Sequence, residues 1–145
     1  MLRVVLDANV YVSAVLRPEG TPGRIIGRFL RDAAFEIALS PPIVEEVLRA
    51  LTYPKVRKLI RSDIDPELWF EDIVVLAPVV TGEREQPRVS DDPDDDKYIA
   101  AAIEGRAAVV VSGDSDLLKI RAHEGVRIIT PRAFLDLLVR SVTGR

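Results

Sequence analysis

At 145 residues, with 48% hydrophobic and 30% charged residues, the chain is sized and composed for one globular domain with its own core. The absence of cysteine excludes disulfides, thiolate metal sites and cysteine nucleophiles, and fits a reducing cytoplasm. The single histidine, His123, excludes a His-rich metal site within one chain. A net charge of −3 gives no overall nucleic-acid signal, and no apolar run approaches the ~20 residues of a bilayer span, so no membrane partner is expected.

In chain order, "RVVLDA" is a short β-branched run ending in Asp7, which predicts a buried strand. The first ten residues meet that acid too early for a secretory signal peptide. "NVYVSAVLRP" predicts a helix stopping before Pro18, and "EGTPG" is a breaker cluster. Thr21, followed by Pro22, is expected to cap a helix running through Phe29 and Leu30. "FEIALS" predicts a second strand. Ile43, Val44, Val47, Leu48 and Leu51 then follow helical spacing from Pro41. "YPKVRKLI" predicts a short helix after Pro54, and "DPELWFEDIVVLA" a helix starting at Asp65 and Pro66. Within it, Trp69 and Phe70 are assigned to the core. A dimer or partner-protein surface is their alternative use, since exposed aromatics mark interfaces.

"PVVTG" predicts a brief edge strand, where proline is tolerated, and residues 82–94 form the most polar loop. Tyr98, Ile99, Ala102 and Ile103 mark the next helix. "AAVVVSGD" is an apolar strand ending at Asp114, and "VRIIT" another strand. Thr130 and Pro131 cap a last helix, "RAFLDLLVRS", leaving 142–145 as a short tail after a domain of residues 1–141. His123 precedes Glu124 and Gly125 in a predicted loop and is read as exposed and structural. Strands alternating with helices predict an α/β fold: a central parallel sheet of about four to five strands flanked by helices. Ligands of such sheets bind at the carboxyl ends of the strands. Asp7 and Asp114 both sit just past such an end, so neighbouring strands would bring their carboxylates together.

Acids recur at element boundaries: Asp7, the pair Glu45 and Glu46, five aspartates within residues 91–96, and Asp114 with Asp116. Each alone has a plain structural role, as a helix cap or a solvent-facing residue. Together at one sheet end they repel one another unless a cation neutralises them, and hard oxygen ligands select Mg²⁺ or Mn²⁺. Helix phase divides the run. Asp95 lies three and four residues before Tyr98 and Ile99 and is predicted inward. Asp96, one residue and about 100° round, is predicted outward. Asp91, Asp92 and Asp94 are assigned to the loop and cap. Phase does not separate Glu45 from Glu46. Arg24, Arg28 and Arg31 form one basic group and Arg49, Lys55, Arg57, Lys58 and Arg61 another, so an acidic centre is flanked by basic patches.

The segments "VVLDANVYVSAVL", "SPPIVEEVLRAL", "DPDDDKYIAAAI", "VVVSGDSDLL" and "VRIITPRAFLDLL" resemble, in order and spacing, the PIN-domain nucleases. The branch they most resemble is that of small bacterial and archaeal proteins regarded as toxins of toxin–antitoxin pairs. The resemblance spans Leu2 to about Leu138. It implies a parallel sheet with flanking helices, an acidic pocket binding Mg²⁺ or Mn²⁺, cleavage of RNA phosphodiesters, and a small antitoxin partner. Carried over residue by residue, the family's acids fall on Asp7, Glu46, Asp95 and Asp114. Asp116 matches a further acid that serves a second metal, and Asn9 and Ser112 match small polar positions supporting the ligands.

On this reading Asp7, Asp95 and Asp114 hold one or two ions, and Glu46 completes the site directly or through water. A metal-activated water is the nucleophile, since no histidine lies near. Arg24, Arg28, Lys55, Arg57 and Lys58 are candidate phosphate contacts, against the alternative of solvated helix faces. One rival is a PIN-like module that binds RNA or a protein without cutting, against which the intact acid set argues. A phosphate-transfer receiver domain is another, but "LDAN" lacks the acidic pair that reading requires after the first strand.

Overall fold

A computed structural model describes residues 1–80 and 92–143. Among these, the strands are β1 (Arg3–Leu6), β2 (Glu36–Ile37), β3 (Val109–Val111), β4 (Ala122–His123) and β5 (Val126–Ile129). The helices are α1 (Ala8–Leu16), α2 (Thr21–Asp32), α3 (Pro41–Thr52), α4 (Pro54–Arg57), α5 (Pro66–Leu76), α6 (Asp96–Glu104), α7 (Ser115–Leu118) and α8 (Pro131–Thr143), with a 3₁₀ turn over Pro93–Asp95. The sheet order is β2-β1-β3-β5-β4, parallel throughout except for β4, which pairs antiparallel with β5. The α/β architecture expected from the sequence is thus present, as a mixed rather than purely parallel sheet.

Successive residues of a strand face opposite sides of the sheet. Val4, Val5 and Leu6 are all fully buried, and so are Val110 and Val111. Both faces of the central strands are therefore covered, as parallel sheets require. Phe35 and Phe134 meet edge to face at 5.0 Å, and Tyr11 and Phe70 do so at 5.3 Å. Phe70 is buried and Trp69 packs partly buried against the same core, so both serve the packing assigned to them.

Strand order decides where a ligand can sit. From β1 the chain crosses through α1 and α2 to β2 on one side, whereas β3, on the other side of β1, leads away to β5. The carboxyl ends of β1 and β3 therefore form the point where the connections diverge, the position of the binding crevice in open α/β sheets. Val4, Val5 and Leu6 lie in register with Val109, Val110 and Val111, and the Asp7 amide continues the ladder to the Val111 carbonyl at 3.0 Å.

The structure corrects several local expectations. Gly20, not Thr21, is the N-cap of α2; Thr21 is its first helical residue, and the cap makes no side-chain bond. The helix continues to Asp32 and stops where Ala33 turns left-handed, at φ 49°. "PVVTG" contributes a single parallel bridge, Val79 to Leu39, at the sheet edge; Thr81 and Gly82 lie outside the described residues, as does the loop over 82–91. His123 is half-buried in β4 rather than exposed in a loop, with Nε2 3.2 Å from Glu124 Oε2. Glu124 and Gly125 make the β4–β5 turn with φ of 48° and 82°, and two consecutive positive φ values match the twist of a two-residue hairpin. Helix α8 runs two residues past 141, to Thr143, and Thr130 Oγ1 accepts from the Ala133 amide at its start as expected.

Candidate metal centre

Asp7 follows β1 directly and caps α1, its Oδ1 accepting from the Asn9 amide at 3.0 Å. Its Oδ2 accepts from Ser112 Oγ at 2.6 Å. Ser112 is fully buried one residue past β3, and its Oγ in turn accepts from the Asp114 amide at 2.9 Å. Asp114 caps α7 through the Asp116 amide at 2.8 Å. The capping role open to Asp7 and Asp114 is therefore real, and it does not compete with a second role. The same geometry that caps each helix holds both carboxylates at the β1–β3 junction, and Ser112 ties one to the other. Asn9 contributes its backbone amide and is itself exposed.

Asp95 ends the 3₁₀ turn, only 7% exposed. Its Oδ2 is buried and has no hydrogen-bond partner among the described residues. Burial pushes the Asp95 carboxyl up to about 8; next in weight come its hydrogen bond with Asp114 and the charge of Asp114, then the charges of Asp92 and Asp7. Asp7 is also raised, first by burial and further by the charges of Glu46 and Asp114, against lowering by its bonds to Ser112 and Asn9. Asp7, Glu46, Asp95 and Asp114 thus share one electrostatic site, linked through Asp7. Carboxylate oxygens of Asp92, Asp95 and Asp116 also lie within 4.8 Å of one another.

Asp96 departs from expectation: it is 3% exposed, not outward. The 100° step holds within an α-helix, but the residues before α6 wind as a 3₁₀ turn at three residues per turn. Asp96, however, is already the first residue of α6, and that helix is covered on nearly every side, with Ala100 and Ala101 buried as well as Tyr98, Ile99 and Ala102, so the face opposite Tyr98 is not an outward one. Asp92 does cap, through the Asp94 amide at 3.0 Å, but it also joins the oxygen cluster, which the loop-and-cap assignment does not foresee. Asp94 is exposed, and Asp91 lies outside the described residues.

Where phase leaves the α3 pair open, the fold separates it: Glu45 is exposed, while Glu46 is half-buried and turned to the site. Glu46 Oε2 accepts from the Tyr98 hydroxyl at 2.9 Å and pairs with Lys97 Nζ. Sequence reasoning assigns no function to Lys97 or Tyr98. The signal that could find the second is a tyrosine at a core-facing helical position, since a buried phenol needs a partner. Of the basic candidates, Arg28 pairs with Asp32 at 2.9 Å and Arg57 pairs with Glu67. Arg24, Lys55 and Lys58 are exposed.

The donors suit a hard divalent cation: all are carboxylate oxygens, one is buried without a partner among the described residues, and their mutual repulsion helps lift the Asp95 carboxyl. Sheet topology and donors together define an α/β protein with a cluster of acids at its switch point. The chain belongs to the PIN-domain family, whose pattern matches residues 3–116. PIN domains are generally nucleases, act on nucleic acid and usually bind a divalent metal through acidic residues.

The chain is 27% identical over 143 residues to the uncharacterized protein MJ1680 of Methanocaldococcus jannaschii, covering 93% of this chain and 90% of that one. The crystal structure of PAE2754 from Pyrobaculum aerophilum shares the fold at a TM-score of 0.55 and 16% identity, over 95% of this chain and 90% of that one. Among the described residues, no helix is long and apolar enough to cross a membrane.

Proposed function

We propose that the chain is a Mg²⁺- or Mn²⁺-dependent endoribonuclease and the toxin of a toxin–antitoxin pair. The observation that carries the nuclease reading is the buried Asp95 Oδ2, without a hydrogen-bond partner among the described residues and set among the charges of Asp7, Asp92 and Asp114. In this reading Asp7, Asp95 and Asp114 hold the ion, with Asp116 and Asp92 extending the cluster toward a second one. A bound divalent ion supplies Lewis acidity, which acidifies water and offsets charge on phosphodiester oxygens.

The chain's own residues supply the frame. Ser112 orients Asp7 through Oδ2, the Asn9 amide holds Oδ1, and the Asp116 amide holds Asp114 Oδ1, so neither acid rotates freely. Glu46 borders the same site, its charge felt by Asp7, as the group that takes a proton from water. Exposed Arg24, Lys55 and Lys58 are the proposed phosphate contacts, because they carry no ion pair among the described residues. Arg28 and Arg57 are already paired.

The toxin role rests on the sequence resemblance, and co-purification with a small protein encoded beside it tests that part. The test of the nuclease reading is a single-stranded RNA oligonucleotide incubated with the protein and Mn²⁺. Internal cleavage that EDTA abolishes and added Mn²⁺ restores is expected. Equal cleavage in EDTA, or bound but intact RNA, contradicts it.

A further inference from the structure

Tyr98 is 1% exposed and would pass for core, yet its hydroxyl does two things at once. It accepts from the Ala8 amide at 3.2 Å and donates to Glu46 Oε2 at 2.9 Å. The direction is forced: an amide only donates and an ionised carboxylate only accepts, so the one phenolic proton points at Glu46. Ala8 is the first residue of α1, where the amide has no intrahelical partner. The Asp7 side chain covers the Asn9 amide and the Asp7 carbonyl the Val10 amide, so Tyr98 completes the cap that Asp7 begins. One hydroxyl therefore joins α1 beside Asp7, α3 through Glu46, and α6 just after Asp95. Lys97 adds its ammonium to the same Glu46 and lies 5.5 Å from the Tyr98 ring centroid. Both contacts fall on the same oxygen, Oε2.

Resting on the metal-centre reading above, we infer that Tyr98 is a positioning residue for the cation site: its hydroxyl, with Lys97, holds Glu46 by Oε2 and so fixes how that carboxylate borders the ion or its water. Partners of this kind typically contribute about 10–100-fold in metal affinity or activity. Tyr11 supplies an internal control, since its buried hydroxyl has no partner among the described residues.

The experiment is Mn²⁺ calorimetry on wild type, Tyr98→Phe, Glu46→Gln, the double variant and Tyr11→Phe, with RNA cleavage measured in parallel. Tyr98→Phe is expected to weaken Mn²⁺ binding about tenfold or more and to lower kcat with KM for RNA unchanged. In the Glu46→Gln background the same change is expected to add nothing, because the hydroxyl acts through Glu46. Tyr11→Phe is expected to keep wild-type affinity. A merely structural Tyr98 lowers Tm and leaves Mn²⁺ affinity alone; that result, or full additivity with Glu46→Gln, overturns the inference. If Tyr98→Phe does not fold, Glu46→Gln carries the test: because the hydroxyl acts through Glu46, this variant is expected to weaken Mn²⁺ binding at least as much, and unchanged affinity overturns the inference. Wild type that binds Mn²⁺ but leaves RNA intact overturns the nuclease reading while the affinities still decide on Tyr98. Wild type that binds no Mn²⁺ overturns both.

Discussion

Asp7→Asn is expected to lower Mn²⁺-dependent RNA cleavage by more than about 100-fold, beyond the range usual for residues that only support a ligand. The substitution is close to isosteric, and the amide oxygen can still accept from the Asn9 amide or the Ser112 hydroxyl. The α1 cap should therefore survive, since Asn caps helices about as well as Asp. What disappears is one negative charge, 3% exposed, at the centre of the site. Circular dichroism and thermal melting check that the fold persists, and calorimetry checks that Mn²⁺ binding weakens in step with cleavage. Loss of activity with unchanged Mn²⁺ affinity would move Asp7 from ion holding to substrate contact. An unchanged cleavage rate would remove it from the site.

Asp95→Asn is expected to act in opposite directions on the metal-free and the loaded protein. In the metal-free protein the Asp95 carboxyl is pushed up to about 8 by burial and by Asp114, Asp92 and Asp7, far above its ordinary value of 3.8. The folded state then binds more protons than the unfolded state between about pH 4 and pH 8. Stability from this group is full below the lower value and is lost as pH rises through the upper one. Metal-free wild type should melt lower at pH 8.5 than at pH 5.5.

The asparagine side chain carries no titrating proton, so the D95N variant should show a flatter pH profile and a higher Tm than wild type at pH 8.5. At this chain length each kcal/mol moves Tm by about 4 °C. Mn²⁺ should raise the wild-type Tm more at pH 8.5 than at pH 5.5, because protons and metal compete for the same carboxylates. The variant should lose most of that rise. Thermal melts at the two pH values, with and without Mn²⁺, check all five expectations. A metal-free Tm that rises with pH in wild type and variant alike would contradict the shift.

Much of this is legible in the sequence because the decisive signals are local. Short apolar runs closed by Asp7 and Asp114 give the strands, and the rule that ligands sit at carboxyl ends brings the two acids together. The β1–β3 pairing realises that expectation. What escapes depends on backbone detail or on partners distant in sequence. Asp96 is misplaced by helical phase because α6 is buried on nearly every side, so the face opposite Tyr98 does not meet solvent. The β4–β5 hairpin escapes although Gly125 marks its turn, because Ala122 and His123 make too short a strand for periodicity to reveal. Asp92 reads as a cap, which it is, and a cap's other oxygen has no signature in the sequence. Tyr98 follows the apolar stripe and reads as core. Its partner Glu46 is 52 positions away, so the bond between them exists only once α3 and α6 pack.

The central claim is that these acids hold a divalent cation at the β1–β3 switch point. A crystal grown with Mn²⁺ and measured for anomalous scattering tests it most directly. An anomalous peak within ligand distance of Asp7, Asp95 and Asp114 is the result expected. A crystal saturated with Mn²⁺ that shows no peak at these carboxylates would contradict the claim.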